Sequence, residues 1–150
     1  IAVANACDPT QVTTHHDVTM INDAYNANPT SMALALRTLK TFPCSGRKIA
    51  VLGDMLELGP ISQSAHYEVG KLAVEVPVDQ LFLLGAYAQD VAQGAEAMGM
   101  AEANIFIGDS HEQLAHELVK HVEPHDLILF KASRGMTLEK VIDEFKKIEC

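Results

Sequence analysis

Residues 18–36 read VTMINDAYNANPTSMALAL, and the fold is decided here. Val18 to Ile21 is a short β-branched, apolar run, the composition of a strand. Asn28 and Pro29 then mark a helix start: a strong cap residue, followed by proline at the first helical position, where no N–H is needed. Met32, Ala35, Leu36 and Leu39 recur at helical spacing, and Pro43 ends the element. Between strand and helix stand an acid, a phenol and two carboxamides: Asp23, Tyr25, Asn26 and Asn28. Asn28 is accounted for as the cap. The other three are not, so this loop is expected to face a ligand. A helix N-terminus attracts anions, but the glycines of a P-loop or GxGxxG turn are missing.

Working outward, the same alternation repeats. Apolar runs at Lys48–Gly53, Gln80–Gly85, Asn104–Gly108 and Asp126–Lys131 have the length of buried strands. Each is followed by a helical stripe. The first carries Ala65, Val69, Leu72, Ala73 and Val76, with Ser62 as its expected cap. The second covers Tyr87–Met98. The third carries Leu114, Ala115, Leu118, Val119 and Val122 behind a capping-box pair, Ser110 and Gln113. The last carries Leu138, Val141, Ile142, Phe145 and Ile148 behind Thr137, its expected cap. Upstream, Gln11–Thr14 and Asp17–Asn22 suggest a hairpin across His15-His16, after an aperiodic lead-in over residues 1–10.

Five strands each followed by a helix predict a single three-layer, Rossmann-like α/β domain. It has a mostly parallel open sheet, helices on both faces and an N-terminal β-hairpin. Residues 1–17 are read as lead-in and hairpin strand, and 18–150 as the domain. Right-handed crossovers place every C-terminal strand end on one edge, where such folds bind ligands. Asp23, Tyr25, Asp54, Gly85, Asp109 and Lys131 to Arg134 should therefore share one rim. Asp54 is a candidate ligand contact there. The segment Lys131-Ala132-Ser133-Arg134-Gly135-Met136-Thr137 offers two cations, two hydroxyls and a glycine, which suit a carboxylate or phosphate. A solvated loop is the plainer alternative for it.

Bulk properties narrow the function. A chain of 150 residues supports one domain with a proper core, and 48% hydrophobic against 21% charged residues argues for an ordered one. A net charge of −9 lacks the basic footprint of a general nucleic-acid binder. No apolar run approaches the ~18 residues that span a bilayer. Cys7, Cys44 and Cys150 are far apart and form no CxxC, which fits a reducing, cytoplasmic setting without a disulfide framework or zinc cluster. His111, His116 and His121 are spaced by five, about 140° apart on a helix, so no metal site is expected from them. The chain opens at Ile1 without an initiator methionine and is read as a piece of something longer.

Three segments together resemble one family. They are Asn22 to Met32 (NDAYNANPTSM), Ile49 to Gly59 (IAVLGDMLELG) with Ser62, His66 and Val69-Gly70 downstream, and Lys131 to Met136 (KASRGM). In order and spacing they resemble the C-terminal domain of the Mur ligases, in the branch that adds D-alanyl-D-alanine, over roughly residues 18 to 148. The resemblance implies a three-domain cytoplasmic enzyme of peptidoglycan synthesis. ATP, with Mg2+, would activate the carboxylate of UDP-MurNAc-tripeptide, and D-Ala-D-Ala would attack the acyl phosphate. The partners of this domain would be the N-terminal and central domains of its own enzyme, with no nucleic acid and no membrane. It further implies that Asp23, Tyr25, Asn26 and Asn28 face the nucleotide from a lid. Lys131, Ser133, Arg134 and Thr137 would lie by the dipeptide, with Arg134 on its terminal carboxylate, and Asp54 would shape the same cleft. No P-loop occurs in these residues, so no catalytic residue and no metal ligand is assigned to them, and the domain alone is expected to be inactive. Two other classes stay open at this point. One is a flavodoxin-like phosphoacceptor domain built on Asp54 and Lys131. The other is a non-catalytic interaction domain.

Overall fold

A computed structural model describes residues 3–5 and 8–149. Among the described residues, seven strands form one sheet: β1 (Val3–Asn5), β2 (Asp8–His15), β3 (Val18–Asp23), β4 (Lys48–Leu52), β5 (Gln80–Leu84), β6 (Ile105–Gly108) and β7 (Leu127–Lys131). Their spatial order is β1-β2-β3-β7-β4-β5-β6. The first two pairings are antiparallel, and β3, β7, β4, β5 and β6 run parallel. The helices are α1 (Pro29–Thr41), α2 (Ser62–Glu75), α3 (Ala88–Ala97), α4 (His111–His121) and α5 (Glu139–Glu149). The predicted mostly parallel α/β fold, with helices on both faces and an N-terminal hairpin, is the fold observed.

The continuous apolar strands follow from covering both faces. Ala50 and Leu52 of β4, with Leu127 and Leu129 of β7, face a core shared with Met32, Leu36 and Leu39 of α1, Val69 of α2 and Val91 of α3. The alternate residues Ile49, Val51, Ile128 and Phe130 face the second core, with Leu114 and Leu118 of α4 and Val141 and Phe145 of α5. Successive side chains point to opposite faces, so only a run apolar at every position can fill both. Helices α2 and α3 meet backbone to backbone. A Cβ on Gly70 would overlap the Val91 carbonyl, and one on Gly94 would overlap that of Tyr67.

Local details refine the sequence reading. The hairpin turn is His16-Asp17, one residue later than the histidine pair suggests. Both residues have positive φ (49° and 64°), as a tight two-residue turn requires. Strand β2 begins at Asp8 and pairs with β1, inside the stretch read as aperiodic lead-in. Residues 1, 2, 6 and 7 of that stretch lie outside the described residues. Ser62 does not cap α2, because a 3-10 turn over Gly59–Ile61 runs straight into the helix and supplies its entrance. Thr137 does not cap α5 either. It adopts a left-handed conformation (φ 47°), and its hydroxyl donates to the Met136 carbonyl.

Strand order creates the position that matters for function. Strand β7 lies between β3 and β4, yet α5, which follows it, packs on the opposite face from α1 and α2. The chain thus leaves neighbouring strands in opposite directions. Such a switch point opens a crevice at the C-terminal edge of the sheet.

Candidate functional site

Four loops meet at that edge: residues 24–28 after β3, 53–58 after β4, 85–87 after β5 and 132–137 after β7. The first folds on its own chemistry. The Asn22 side-chain oxygen accepts from the Ala24 N–H (3.2 Å), turning the chain as it leaves the strand. Ala24 and Ala27 point inward and are buried, which leaves Tyr25, Asn26 and Asn28 exposed. Asn28 is the predicted cap: its Oδ1 accepts from the Ser31 N–H (2.8 Å), while Ser31 Oγ accepts from the Asn28 N–H (3.0 Å).

Lys131 ties this loop to β7. Its side chain is only 3% exposed, and its ammonium donates to Asp23 Oδ2 (2.9 Å) and to the Asn26 carbonyl (2.8 Å). A buried cation is tolerated only when paired and hydrogen-bonded, and both conditions are met. Asp23 stays 18% exposed. Two residues on, the Ser133 hydroxyl donates to the Ala27 carbonyl (3.3 Å) and accepts from the Leu56 N–H (2.8 Å). The Ser133 N–H donates to the Asp54 carbonyl (3.0 Å). Further out, the Arg134 guanidinium lies over the Tyr25 ring, 5.1 Å from its centre.

The second loop is fastened from below. Asp54 is 5% exposed, and its carboxylate accepts from the backbone N–H groups of Ala86 (2.8 Å) and Tyr87 (3.0 Å). Gly85, at φ 125°, lets the β5 loop approach: a Cβ there would overlap the Asp54 carboxylate. His66 of α2 is buried and bonded at both ring nitrogens. Nδ1–H donates to the Ser62 carbonyl (2.6 Å), Nε2 accepts from the Met55 N–H (2.9 Å), and the ring stacks on Tyr87 at 4.5 Å.

The sequence-predicted residues are therefore brought together, but with altered parts. Asp23, Tyr25 and Asn26 meet Lys131, Ser133 and Arg134 across the β3–β7 crevice. Lys131 and Ser133 do not stand on open surface as direct contacts, because their polar atoms already join the loops. Asp54 points into the rim and holds the β5 loop. Asn28 gives its oxygen to the cap, and Thr137 lies where the β7 loop turns into α5. Asp109 sits beyond β5 at the outer strand, where its N–H meets Gln113 Oε1, and does not join the cluster. The part of His66 was not legible from spacing: its partner Met55 lies eleven residues away in a loop. A groove between α1 and α2, lined in part by Pro29, Ala33, Ile61 and Leu72, has no buried polar side chain to orient a ligand. Among the described residues no three His, Cys, Asp or Glu gather as a metal site, and no helix is long and apolar enough to cross a membrane.

At the far end of the sheet, Asp126 is buried and accepts from the Arg47 N–H (2.9 Å), the Glu123 N–H (2.8 Å) and the Arg47 guanidinium (2.9 Å). The hydrogen bond that the Arg47 guanidinium donates to Asp126 raises the Arg47 pKa above its ordinary value. This cluster fixes the β4 and β7 entrances, away from the rim.

Fold and site define a doubly wound α/β domain that presents a pre-joined polar rim at a switch point. The chain belongs to the Mur ligase family: the family model described as "Mur ligase, glutamate ligase domain" matches residues 10–134, and the chain corresponds to the C-terminal domain of these ligases. Among similar proteins, UDP-N-acetylmuramoyl-tripeptide–D-alanyl-D-alanine ligase of Bacillus subtilis is 35% identical over 133 residues, covering 89% of this chain and 29% of that protein. The same ligase of Mycobacterium tuberculosis strain H37Rv is 36% identical over 152 residues, 89% of this chain and 30% of that one. Among solved structures, MurF ligase from Thermotoga maritima in complex with ADP superposes with a TM-score of 0.76 at 30% identity. It covers 91% of this chain and 30% of its own. The chain thus spans under a third of the length of these relatives.

Proposed function

We propose that this domain is the C-terminal lid of an ATP-dependent, ADP-forming ligase that joins D-Ala-D-Ala to UDP-MurNAc-tripeptide in the cytoplasm, within peptidoglycan precursor synthesis. In that reaction the tripeptide's terminal carboxylate attacks the γ-phosphorus of ATP and ADP leaves. The dipeptide amine then attacks the acyl phosphate, and inorganic phosphate departs as the amide bond forms. The P-loop and Mg2+ ligands belong to the other domains, so this piece alone is inactive. What it contributes is positioning and closure, which bring reactants into line and exclude water.

The observation that carries this reading is the meeting of two loops at the β3–β7 crevice. The loop that the resemblance gives to the nucleotide (Asp23, Tyr25, Asn26, Asn28) touches the one it gives to the dipeptide (Lys131, Ser133, Arg134, Thr137). A relative with this fold is complexed with ADP. On the open side, the Asn26 amide and the face of the Tyr25 ring away from Arg134 would meet ribose and base. Arg134 offers a bidentate fork for the dipeptide carboxylate, and Asp54 acts through the loop it holds.

The phosphoacceptor alternative fits less well. The five parallel strands lie in the order first, fifth, second, third, fourth, not the 2-1-3-4-5 order of flavodoxin-like sheets. Asp54 already accepts two backbone N–H groups, and Lys131 is paired with Asp23. The test is Arg134→Ala in the full-length enzyme. The apparent KM for D-Ala-D-Ala should rise at least tenfold, about the loss of one charge-assisted bond pair, and an unchanged value would remove Arg134 from the dipeptide site.

A further inference from the structure

Lys131 ends β7 directly opposite Asp23, the last residue of β3, in the parallel ladder. Its ammonium reaches two points of the neighbouring loop: the Asp23 carboxylate at the start and the Asn26 carbonyl in the middle. Ser133 adds a bond to the Ala27 carbonyl, and Arg134 stacks on Tyr25 at the surface. Contacts at three depths, from buried ion pair to exposed stack, thus join residues 23–27 to residues 131–134. The two segments lie more than a hundred positions apart in the chain. Two of the three Lys131 donors are engaged and its side chain is 3% exposed, so little of the ammonium is left for a substrate unless it gives up Asp23 or Asn26. An unpaired buried charge is strongly disfavoured.

We infer that Lys131 is a positioning residue that makes the β3–α1 and β7–α5 loops one rigid unit, so that seating the nucleotide and seating the dipeptide are coupled through this domain. The identities of the two ligands rest on the ligase reading above; the latch itself does not. Each loop alone would lose conformational freedom on meeting its ligand. Joined loops order as one, so a ligand that orders either one favours the arrangement that the other ligand needs. Such coupling is reciprocal by linkage.

The experiment compares full-length wild-type enzyme with Lys131→Met, Asp23→Asn and Arg134→Ala, measuring apparent KM for ATP and for D-Ala-D-Ala separately, with hydrogen–deuterium exchange on each protein. Lys131→Met should raise both KM values together, by about tenfold, and speed exchange in both loops. Arg134→Ala should raise only the dipeptide value. Asp23→Asn, on the nucleotide side, keeps an acceptor in place and should still raise the dipeptide KM several-fold. It carries the same test should Lys131→Met not fold. A rise confined to the dipeptide in Lys131→Met would make Lys131 a direct contact, and a dipeptide KM unmoved in Asp23→Asn would break the coupling. Either result overturns the inference. If the wild-type enzyme forms no ligation product, the ligase reading fails by itself. Exchange in residues 24–28 of Lys131→Met then decides the latch: faster exchange supports it, and wild-type exchange overturns it.

Discussion

Replacing Asp54 separates a loop staple from a ligand contact. Its carboxylate accepts from the Ala86 and Tyr87 N–H groups at 2.8 and 3.0 Å. Hydrogen bonds to a charged partner contribute about 1.5–3 kcal/mol each. Ala86 is exposed, so water recovers part of the loss in Asp54→Ala. The net cost should be about 2–4 kcal/mol, and Asp54→Asn, which keeps one acceptor oxygen, should lose about half of that. In a chain of this length 1 kcal/mol moves Tm by roughly 2–4 °C, so Asp54→Ala should melt about 4–16 °C early. Urea unfolding of the 150-residue chain, followed by circular dichroism, measures both variants. A cycle with Gly85→Ala sharpens the test. A Cβ at Gly85 overlaps the carboxylate, so part of the cost of Gly85→Ala should vanish once Asp54 is alanine, leaving the strain of its positive φ. Stability within about 0.5 kcal/mol of wild type for both Asp54 variants, or strict additivity with Gly85→Ala, would refute the staple.

Two further outcomes follow from the packing. Gly70→Ala should destabilise by about 1–3 kcal/mol in the same assay, because the new Cβ meets the Val91 carbonyl and the overpacking outweighs the roughly 1 kcal/mol that alanine gains in a helix. Arg47→Met leaves Asp126, with a side chain 2% exposed, to two backbone N–H groups. Removing one partner of a buried pair costs about 3–5 kcal/mol; with those two bonds retained, about 2–3 kcal/mol is expected. The Arg47 pKa is raised on folding, so its contribution is full below the unfolded value and lost only as pH climbs through the folded one. The deficit of Arg47→Met should therefore stay constant from about pH 7 to 10, and a deficit that shrinks in that range would contradict the pairing.

Much of the fold was legible because its signals are local. The runs KIAVL and LILFK are apolar at every position since both faces are covered, and Asn28-Pro29 states where α1 begins. The rim was legible as a set, through the rule that parallel strands end on one edge. Which of its residues are open was not. Lys131 reads as a free cation until β7 is known to lie beside β3, which no local pattern reveals. Asp54 was rightly placed after β4, but its inward turn depends on Gly85 at the end of another strand. His66 appeared only as one letter of a family pattern, and its bonds to Ser62 and Met55 need the loop's path. The expected caps at Ser62 and Thr137 failed for separate reasons: a 3-10 turn runs straight into α2, whereas Thr137 takes a left-handed conformation with its hydroxyl on the Met136 carbonyl.

The most direct measurement is product formation by the full-length protein. It should be incubated with ATP, Mg2+, UDP-MurNAc-tripeptide and D-Ala-D-Ala, with ADP release and product mass followed together. ADP release should depend on both the tripeptide and the dipeptide, with a product heavier than the tripeptide substrate by one dipeptide less water. ADP release indifferent to D-Ala-D-Ala, or no such product, would contradict the ligase reading.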